Sequence, residues 1–338
     1  MFKALVNWLA LIGLAFFISA CSKPAEIISL SGQTMGTTYH IKVVKSAMLP
    51  DAITLQAEID LALEQVNDAM STYRPQSELS RFNAAAVDTP LTVSDDVAKV
   101  VKAGLDLYQK TGGALDITIG PLVNLWGFGP DKKPITVPSE NDIKAAKTLT
   151  GLASLTLEGN QLSKSNAGLY VDLSAIAKGF GVDKVAAVLD QYQPIGYLVE
   201  VGGEISLHGT KGDGSLWRVA IEKPNELSRA VQQVISPKNI GMATSGDYRI
   251  YHEEDGKRFS HLIDPRTGFP IDHRLASVTV LHPQSMIADG YATAMMVLGT
   301  QASLELANRE QLAIMLIEKQ DDGFKVFYSD AFKPYVAP

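Results

Sequence analysis

Cysteine is almost absent from this 338-residue sequence, which has only Cys21. A single thiol excludes an intrachain disulfide and a zinc site built from several thiolates. If Cys21 is itself modified, the chain also has no cysteine nucleophile. The chemistry of this protein must therefore depend on oxygen and nitrogen groups.

The sequence also lacks a run of basic residues, and its formal net charge is -7. Both features argue against nucleic acid as a partner, because binding to phosphate backbones needs clustered Lys and Arg. No internal repeat, low-complexity segment or Pro/Gly-rich linker divides the chain. Its length suits one large domain or two closely packed lobes.

Long apolar runs are missing apart from the N-terminus, MFKALVNWLALIGLAFFISAC. This segment is short, carries one Lys and ends in small residues, so it predicts a secretory signal over residues 1–20. The ending Ile18-Ser19-Ala20-Cys21 resembles a bacterial lipobox, in which the cysteine is acylated. An ordinary signal peptide with a chance cysteine is the alternative. We expect a lipid anchor on Cys21, a tether over residues 21–29 and a folded domain over 30–338.

Helix patterns occupy the first half of the chain, and short strands separated by Gly, Pro and Asp-Gly turns occupy most of the second. Ser94 is placed to cap one helix that Gly112 ends, and Gly299 is placed to end another. This order predicts an α+β protein with largely antiparallel sheets and packed helices, not a doubly wound parallel sheet.

The stretch VDLSAIAKGFGVDKV predicts a strand end followed by a helix that Ser174 caps. Lys178 lies one turn further on and can reach back to the helix N-terminus. Gly179 and Gly181 allow close approach of a backbone or a flat ligand. The pattern fits a phosphate site. A capped helix with a solvated lysine and two close-packing glycines explains it equally well.

Asp289 and Thr293 are four residues apart in SMIADGYATAMM, so they share one face of a helix. Carboxylate and hydroxyl oxygens are hard ligands that suit Mg²⁺ and not zinc. The alternative is a hydrogen bond between the two side chains on a polar face. The apolar residues around them argue against that alternative, because a buried carboxylate needs a partner.

The stretch FSHLIDPRTGFP places His261 at the end of an apolar strand, just before a tight turn. Read alone, a hairpin corner is the simplest explanation. The remaining histidines outside this stretch have no spacing typical of a metal site.

Taken together, GQTMGTTY, MSTYRPQSELSRFN, GALDITIGPLVNLWGFG, VDLSAIAKGFGVD, YLVEVGGEI, ATSGDYRIY, HLIDPRTG and ADGYATAMMVLG resemble the ApbE family in identity and in order. This family comprises FAD:protein FMN transferases, and the resemblance covers about residues 30 to 330. It implies an ApbE-like fold and transfer of FMN from FAD to a threonine hydroxyl of a target flavoprotein, with release of AMP. It further implies FAD as substrate and Mg²⁺ as cofactor.

The resemblance also implies roles for individual residues. Mg²⁺ would be held by Asp289, Thr293 and the carbonyl of Ala175, and His261 would be the base that takes the proton from threonine. The residues implied to contact the flavin and adenosine ends are Met35, Tyr73, Ala114, Leu115, Asp116, Asp172, Lys178 and Ile263.

The expected protein partners are membrane-bound redox subunits that accept FMN on threonine, such as those of sodium-pumping NADH:quinone reductase and its electron-transport relatives. We expect a lipid-anchored protein on the periplasmic side, with the inner membrane favoured because known targets lie there. Two other functions stay open. One is an FAD-binding periplasmic lipoprotein without chemistry, and the other is an FAD pyrophosphatase that yields FMN and AMP.

Overall fold

The computed structural model of the chain describes residues 25–130, 137–224, 230–247, 251–254 and 256–336. The predicted signal peptide and Cys21 lie outside these residues. The predicted tether also needs correction at its end, because residues 27–29 belong to the first strand. Within the described part of the chain, none of the helices is both long enough and apolar enough to span a membrane.

An eight-stranded sheet forms the centre of the fold, with the order β1-β2-β6-β7-β10-β13-β14-β15. Every neighbouring pair in it is antiparallel, which confirms the predicted α+β class with largely antiparallel sheets. Its strands are β1 (Ile27–Thr34), β2 (Thr37–Val44), β6 (Gly196–Val201), β7 (Glu204–Gly209), β10 (Ile240–Gly246), β13 (Leu275–His282), β14 (Ala313–Gln320) and β15 (Gly323–Tyr328).

Smaller antiparallel sheets flank the central one. One has the order β3-β5-β4, and the others are the pairs β8-β9 and β11-β12. The predicted hairpin around residue 256 is β11-β12, although Asp255 and residues 248–250 lie outside the described residues. The strands are β3 (Leu91–Thr92), β4 (Leu155–Glu158), β5 (Gln161–Lys164), β8 (Val219–Glu222), β9 (Val231–Ile235), β11 (Tyr251–Glu254) and β12 (Lys257–Ser260).

Four of the described helices, α1, α2, α3 and α5, begin at a residue whose side chain caps the helix. The Ser94 hydroxyl accepts a hydrogen bond from the Val97 N–H, and Gly112 ends the same helix in the left-handed conformation. The helices are α1 (Ala52–Met70), α2 (Glu78–Ala84), α3 (Asp95–Thr111), α4 (Gly120–Leu125), α5 (Glu140–Lys147), α6 (Ser174–Asp190), α7 (Ser285–Leu298) and α8 (Thr300–Arg309), with short 3₁₀ turns at Leu152–Ser154 and Lys333–Tyr335.

Helices α6 and α7 pack against each other and against the central sheet. Their apolar faces, which include Ile176, Phe180 and Met295, share one core with Val278 and Val280 of β13. Burial of each such side chain contributes on the order of 1.5–3 kcal/mol. The pair is therefore a rigid support for any polar group that lies at its contact.

Gly179 sets the spacing between these two helices. A Cβ atom there would lie 2.4 Å from the Ser285 carbonyl oxygen and 2.8 Å from Cβ of Asp289. We expect Gly179→Ala to lower the free energy of unfolding by roughly 1–3 kcal/mol, because a backbone must move to relieve the overlap. The urea unfolding midpoint measures this change.

Gly290→Ala is the matched control for Gly179→Ala. A Cβ at Gly290 would lie 2.4 Å from Cδ1 of Leu107, which is the flexible end of a side chain. We expect a smaller loss there than at Gly179. An equal or larger loss at Gly290 would show that the backbone contact at Gly179 has no special role.

Candidate functional site

The first turn of α6 differs from the sequence prediction. Ser174 is the first helical residue and not the cap, and the capping position, Leu173, makes no side-chain hydrogen bond. Instead, Oδ1 of Asp172 accepts hydrogen bonds from the Ser174 N–H (2.8 Å) and hydroxyl (2.5 Å). Asp172 provides the hydrogen-bond acceptor at the start of α6 instead of Ser174, because its side chain reaches the N–H two positions ahead, as in an Asx turn.

A cluster of three charged groups lies where α6, α7 and β7 meet. The ammonium of Lys178 donates a hydrogen bond to Oε1 of Glu204 (2.6 Å) and lies 3.6 Å from Oδ1 of Asp289. The N–H of Gly179 donates to Oδ2 of Asp289 (2.9 Å). Lys178 thus does not point back to the helix N-terminus as the sequence suggested, but links two helices and a strand.

The cluster carries one more negative than positive charge when both acids are ionised. The side chains of Glu204 and Asp289 are only 3% and 2% exposed, whereas that of Lys178 is 35% exposed. Burial raises the pKa of Glu204 to about 8 and also raises the pKa of Asp289. In addition, Oε2 of Glu204 is buried without a hydrogen-bond partner. The cluster is therefore electrostatically suited to receive a further cation.

The raised pKa of Glu204 predicts a pH dependence of stability. Between about pH 4.5 and about pH 8 the folded chain binds more protons than the unfolded chain, so the free energy of unfolding falls as the pH rises. Glu204→Gln should remove this part of the slope, as measured by urea unfolding across that range. Glu305→Gln, on the solvent-exposed face of α8, is the control and should leave the slope unchanged. A slope that persists in Glu204→Gln would contradict the assignment.

The oxygen groups around Asp289 match the donor set that Mg²⁺ prefers. The Gly179 N–H bonded to this carboxylate is the one whose regular helical partner is the carbonyl of Ala175, four residues earlier. The carboxylate therefore reaches the turn of α6 that contains Ala175. Thr293 lies one turn beyond Asp289 on α7, and its hydroxyl is 3.3 Å from the hydroxyl of Ser245 on β10.

This donor set contains a single acid, so it differs from sites built by several acidic or imidazole side chains. Across the described residues, no three or more His, Cys, Asp or Glu side chains are grouped to hold a metal ion. Sites of the Mg²⁺ type use one or two carboxylates and complete the shell with water and substrate phosphates. The residues present fit that type of site.

His261 directly follows β12 and is half-buried. Its ring lies edge-on to that of Phe128, with 6.4 Å between centroids. The strand before it is tied to β10, because the guanidinium of Arg258 donates to the carbonyl of Asp247 (2.6 Å). Asp247 comes two residues after Ser245, the neighbour of Thr293. The structure thus connects the strand that precedes His261 with the strand that contains Ser245.

Tyr73 lies in the loop after α1 and is 66% exposed. Its hydroxyl donates to the carbonyl of Phe128 (3.5 Å), and burial together with the charge of Asp172 raises its pKa. Tyr73, Phe128, Asp172 and His261 therefore come from four separate segments that converge at one rim. Phe128 was not among the residues predicted from the sequence.

The segment Ala114-Leu115-Asp116 is buried and joins this rim to α7. Oδ1 of Asp116 accepts hydrogen bonds from the N–H (2.8 Å) and hydroxyl (2.6 Å) of Thr118, and burial raises its pKa. The N–H of Asp172 donates to the carbonyl of Ile117 (2.8 Å). Leu115 packs beside Gly290, the residue after Asp289.

Two further predicted residues, Met35 and Ile263, adjoin elements of the site. Met35 occupies the β1-β2 turn with a positive φ of 49°, and its side chain approaches Gly181 of α6. Ile263 is buried and forms a bridge with Pro270 across the turn after His261. Met35 thus contacts the helix that carries Lys178, and Ile263 lies two residues after His261.

Besides Phe128, three residues of this region were missed by sequence reasoning. Glu204 follows two glycines with positive φ, and nothing local indicates that its carboxylate is buried. Asp183 caps α7 from α6, since its carboxylate accepts from the N–H groups of Ser285 (2.9 Å) and Met286 (3.0 Å). Only the three-dimensional contacts reveal these roles. Ser245 is likewise identified only by its contact with Thr293.

The sequence model of the ApbE family matches residues 35–316. The chain belongs to the ApbE family. This match confirms the resemblance drawn from the sequence motifs and includes all the residues described above as parts of the site.

Individual ApbE relatives are similar over nearly the whole chain. The FAD:protein FMN transferase of Vibrio cholerae serotype O1 is 51% identical over 331 residues, covering 98% of this chain and 99% of the relative. That of Escherichia coli K12 is 42% identical, covering 95% and 94%. The solved flavin transferase ApbE from Vibrio cholerae superposes with a TM-score of 0.87 at 52% identity, covering 93% of this chain and all of that one. The ApbE protein of Thermotoga maritima shares the fold at 25% identity, with a TM-score of 0.83 and coverage of 93% and 100%.

Proposed function

We propose that this chain is a Mg²⁺-dependent FAD:protein FMN transferase. It attaches FMN to a threonine hydroxyl of a target flavoprotein through a phosphoester bond and releases AMP. The observation that carries the proposal is the buried Lys178–Glu204–Asp289 cluster with Thr293 beside it, in a chain similar over nearly its full length to FAD:protein FMN transferases.

The reaction breaks one bond of the FAD diphosphate and forms one new ester. The threonine oxygen attacks the phosphorus on the FMN side, the bridging P–O bond breaks, and AMP leaves with that oxygen. The hydroxyl proton passes to the base, for which His261 is the candidate because it lies at the rim that Tyr73 and Phe128 form. Catalysis of phosphoryl transfer depends mainly on positioning and electrostatic stabilisation.

Asp289, Thr293 and the carbonyl of Ala175 would hold the magnesium ion. When bound there, Mg²⁺ supplies positive charge that stabilises the phosphoryl oxygens in the transition state. The ammonium of Lys178 adds a second positive charge beside Asp289. This ammonium lies closer to Glu204 (2.6 Å) than to Asp289 (3.6 Å), so Glu204 is its main partner.

The flavin and adenosine ends of FAD are expected at the rim. Met35, Tyr73, Ala114, Leu115, Asp116, Asp172, Lys178 and Ile263 are the proposed contacts. Tyr73 is exposed and held only by one long hydrogen bond, so its ring is available to cover a flat ligand. An aromatic ring over the flavin would also keep water from the phosphorus, which favours transfer to protein over hydrolysis.

The partners and location follow from the same proposal. The acceptors are membrane redox subunits of the kind found in sodium-pumping NADH:quinone reductase, and an acyl group on Cys21 holds the enzyme at the periplasmic side of the inner membrane. A chance cysteine after an ordinary signal peptide would instead leave Cys21 unmodified in the mature protein.

One experiment distinguishes FMN transfer to protein from FAD hydrolysis and from FAD binding without chemistry. The protein is incubated with FAD and a candidate acceptor domain, with and without Mg²⁺, and the masses of all products are measured. We expect the acceptor to gain the mass of an FMN phosphoester only when Mg²⁺ is present, together with free AMP. Free FMN without acceptor modification would indicate a pyrophosphatase, and unchanged FAD would indicate a binding protein.

A further inference from the structure

One end of the central sheet is where the described chain begins. Ile27, the first residue of β1, pairs with Val44, the last of β2, and Gly196, the first of β6, pairs with Gly209, the last of β7. Val43 of β2 pairs with Tyr197 of β6, which joins these two hairpins. The starts of β1 and β6 and the ends of β2 and β7 therefore lie together.

Large exposed apolar side chains concentrate at this end. Single exposed apolar residues are ordinary on a protein surface, but a group of them at one place marks an interaction surface. Of the eleven such residues in the described chain, five lie in the segments that flank these strand ends. They are Ile27 (38% exposed), Met48 (58%), Ile53 (84%), Ile195 (55%) and Leu216 (37%).

Main-chain contacts hold these segments to one another. The N–H of Ala25 donates to the carbonyl of Gly212 (3.3 Å), and that of Thr210 donates to the carbonyl of Ile195 (3.4 Å). The N–H of Lys45 donates to the carbonyl of Glu26 (2.7 Å). We call these five exposed apolar residues, which lie in segments at this end of the sheet, the anchor face.

Cys21 lies only four residues before Ala25 in the sequence. Four fully extended residues span at most about 14 Å. A lipid on Cys21 would therefore keep Ala25, two residues before Ile27 of the anchor face, within that distance of the bilayer surface.

We propose that the anchor face rests on the lipid surface and inserts its apolar side chains among the headgroups. The proposal depends on acylation of Cys21, which is part of the proposed function. The charges of the face nearly cancel, as in the pair of Lys45 with Glu26 (2.7 Å). Contact thus depends on apolar insertion supported by the acyl chains, and added salt should weaken it little.

This orientation turns the site away from the membrane. The β1-β2 turn at Met35 and the Gly202-Gly203 turn before Glu204 lie at the opposite ends of the same strands. Gly202 also approaches the side chain of Lys178. The anchor face and the charged cluster are thus at opposite ends of the sheet.

The lack of other cysteines allows a direct test on the full-length acylated protein. A fluorophore is attached at Met48→Cys in one sample and at Gln33→Cys, near the far end of β1, in another. Both are reconstituted in vesicles of phosphatidylethanolamine and phosphatidylglycerol that contain a nitroxide-labelled lipid. We expect several-fold stronger quenching at position 48 than at position 33. Equal quenching at the two positions would overturn the proposal.

A pair of variants tests the apolar residues themselves. With the fluorophore at Leu216→Cys, the variant Met48→Asp/Ile53→Asp should lose most of the quenching while it stays attached to the vesicles. Aspartate at position 53 suits the first turn of α1, so the helix should still form. Val137→Asp/Val231→Asp is the matched control and should keep the quenching. Unchanged quenching in Met48→Asp/Ile53→Asp would contradict insertion.

Failure of the anchor can be distinguished from failure of the enzyme. The mass of the N-terminal peptide shows whether Cys21 is acylated, and an unmodified cysteine would overturn this proposal. FMN transfer to a soluble acceptor domain is measured separately, without vesicles. Transfer that persists while acylation is absent would leave the enzymatic function standing.

Discussion

Asp289→Ala should lower the rate of FMN transfer on the order of 10³-fold in the presence of Mg²⁺, and addition of more Mg²⁺ should not restore it. The variant loses the carboxylate that accepts from Gly179 and faces Lys178. Metal ions at such sites contribute several kcal/mol to transition-state stabilisation, which corresponds to about this factor. The mass of the acceptor over time gives the rate.

The fold should survive this change. Once Asp289 is gone, Lys178 and Glu204 form a balanced pair of one ammonium and one carboxylate. The remaining cost is the unpaired N–H of Gly179, about 1–3 kcal/mol. Asp289→Asn is the control, because its amide oxygen can still accept from that N–H while the charge is lost. We expect Asn to be as inactive as Ala but more stable. Full transfer activity in either variant would disprove the metal assignment.

His261→Ala should bind FAD as the unaltered protein does but transfer FMN roughly 10²–10⁴-fold more slowly, the usual contribution of a general base. The imidazole lies at the rim next to Phe128, so its removal takes away the proton acceptor without disturbing the buried cluster. Quenching of flavin fluorescence measures binding, and the acceptor mass measures transfer. Undiminished transfer in His261→Ala would remove this residue as the base.

Phe128→Leu is the companion variant for His261. It keeps an apolar side chain but loses the ring that lies edge-on to the imidazole, so we expect a smaller reduction in transfer than for His261→Ala. Transfer in the double variant should be no slower than in His261→Ala alone, since the positioning of an absent imidazole cannot matter. A further drop in the double variant would show that Phe128 acts independently of His261.

The local elements of this fold were largely predictable from the sequence. The caps at Ser94, Gly112 and Gly299, together with the strand-rich second half, led to the correct class. Helix α2, which Ser77 caps, has only seven residues and is too short to show a periodic pattern in the sequence. The sheet order was beyond sequence reasoning, because pairs such as β2-β6 join segments about 150 residues apart that carry no local signal.

The candidate site was likewise predictable from the sequence only in part. The spacing of Asp289 and Thr293 places both on one helical face, and the structure has them so. The chemistry of an isolated residue could not reveal that Glu204 is buried beside Lys178, because burial is a property of the assembled helices and strands. Assignments such as Met35 and Ile263 depended on the family resemblance, and the binding of FAD to them remains a prediction.

The length of strand β1 determines how far the candidate site lies from the anchor face. Its eight residues span about 25 Å between the end where the described chain begins and the end near Met35. An enzyme standing on its anchor face would meet acceptor threonines held at about that height above the phospholipids. A threonine close to the bilayer could be reached only after the enzyme tilts or lifts, so such acceptors should be modified more slowly when both proteins share a membrane than when both are in detergent.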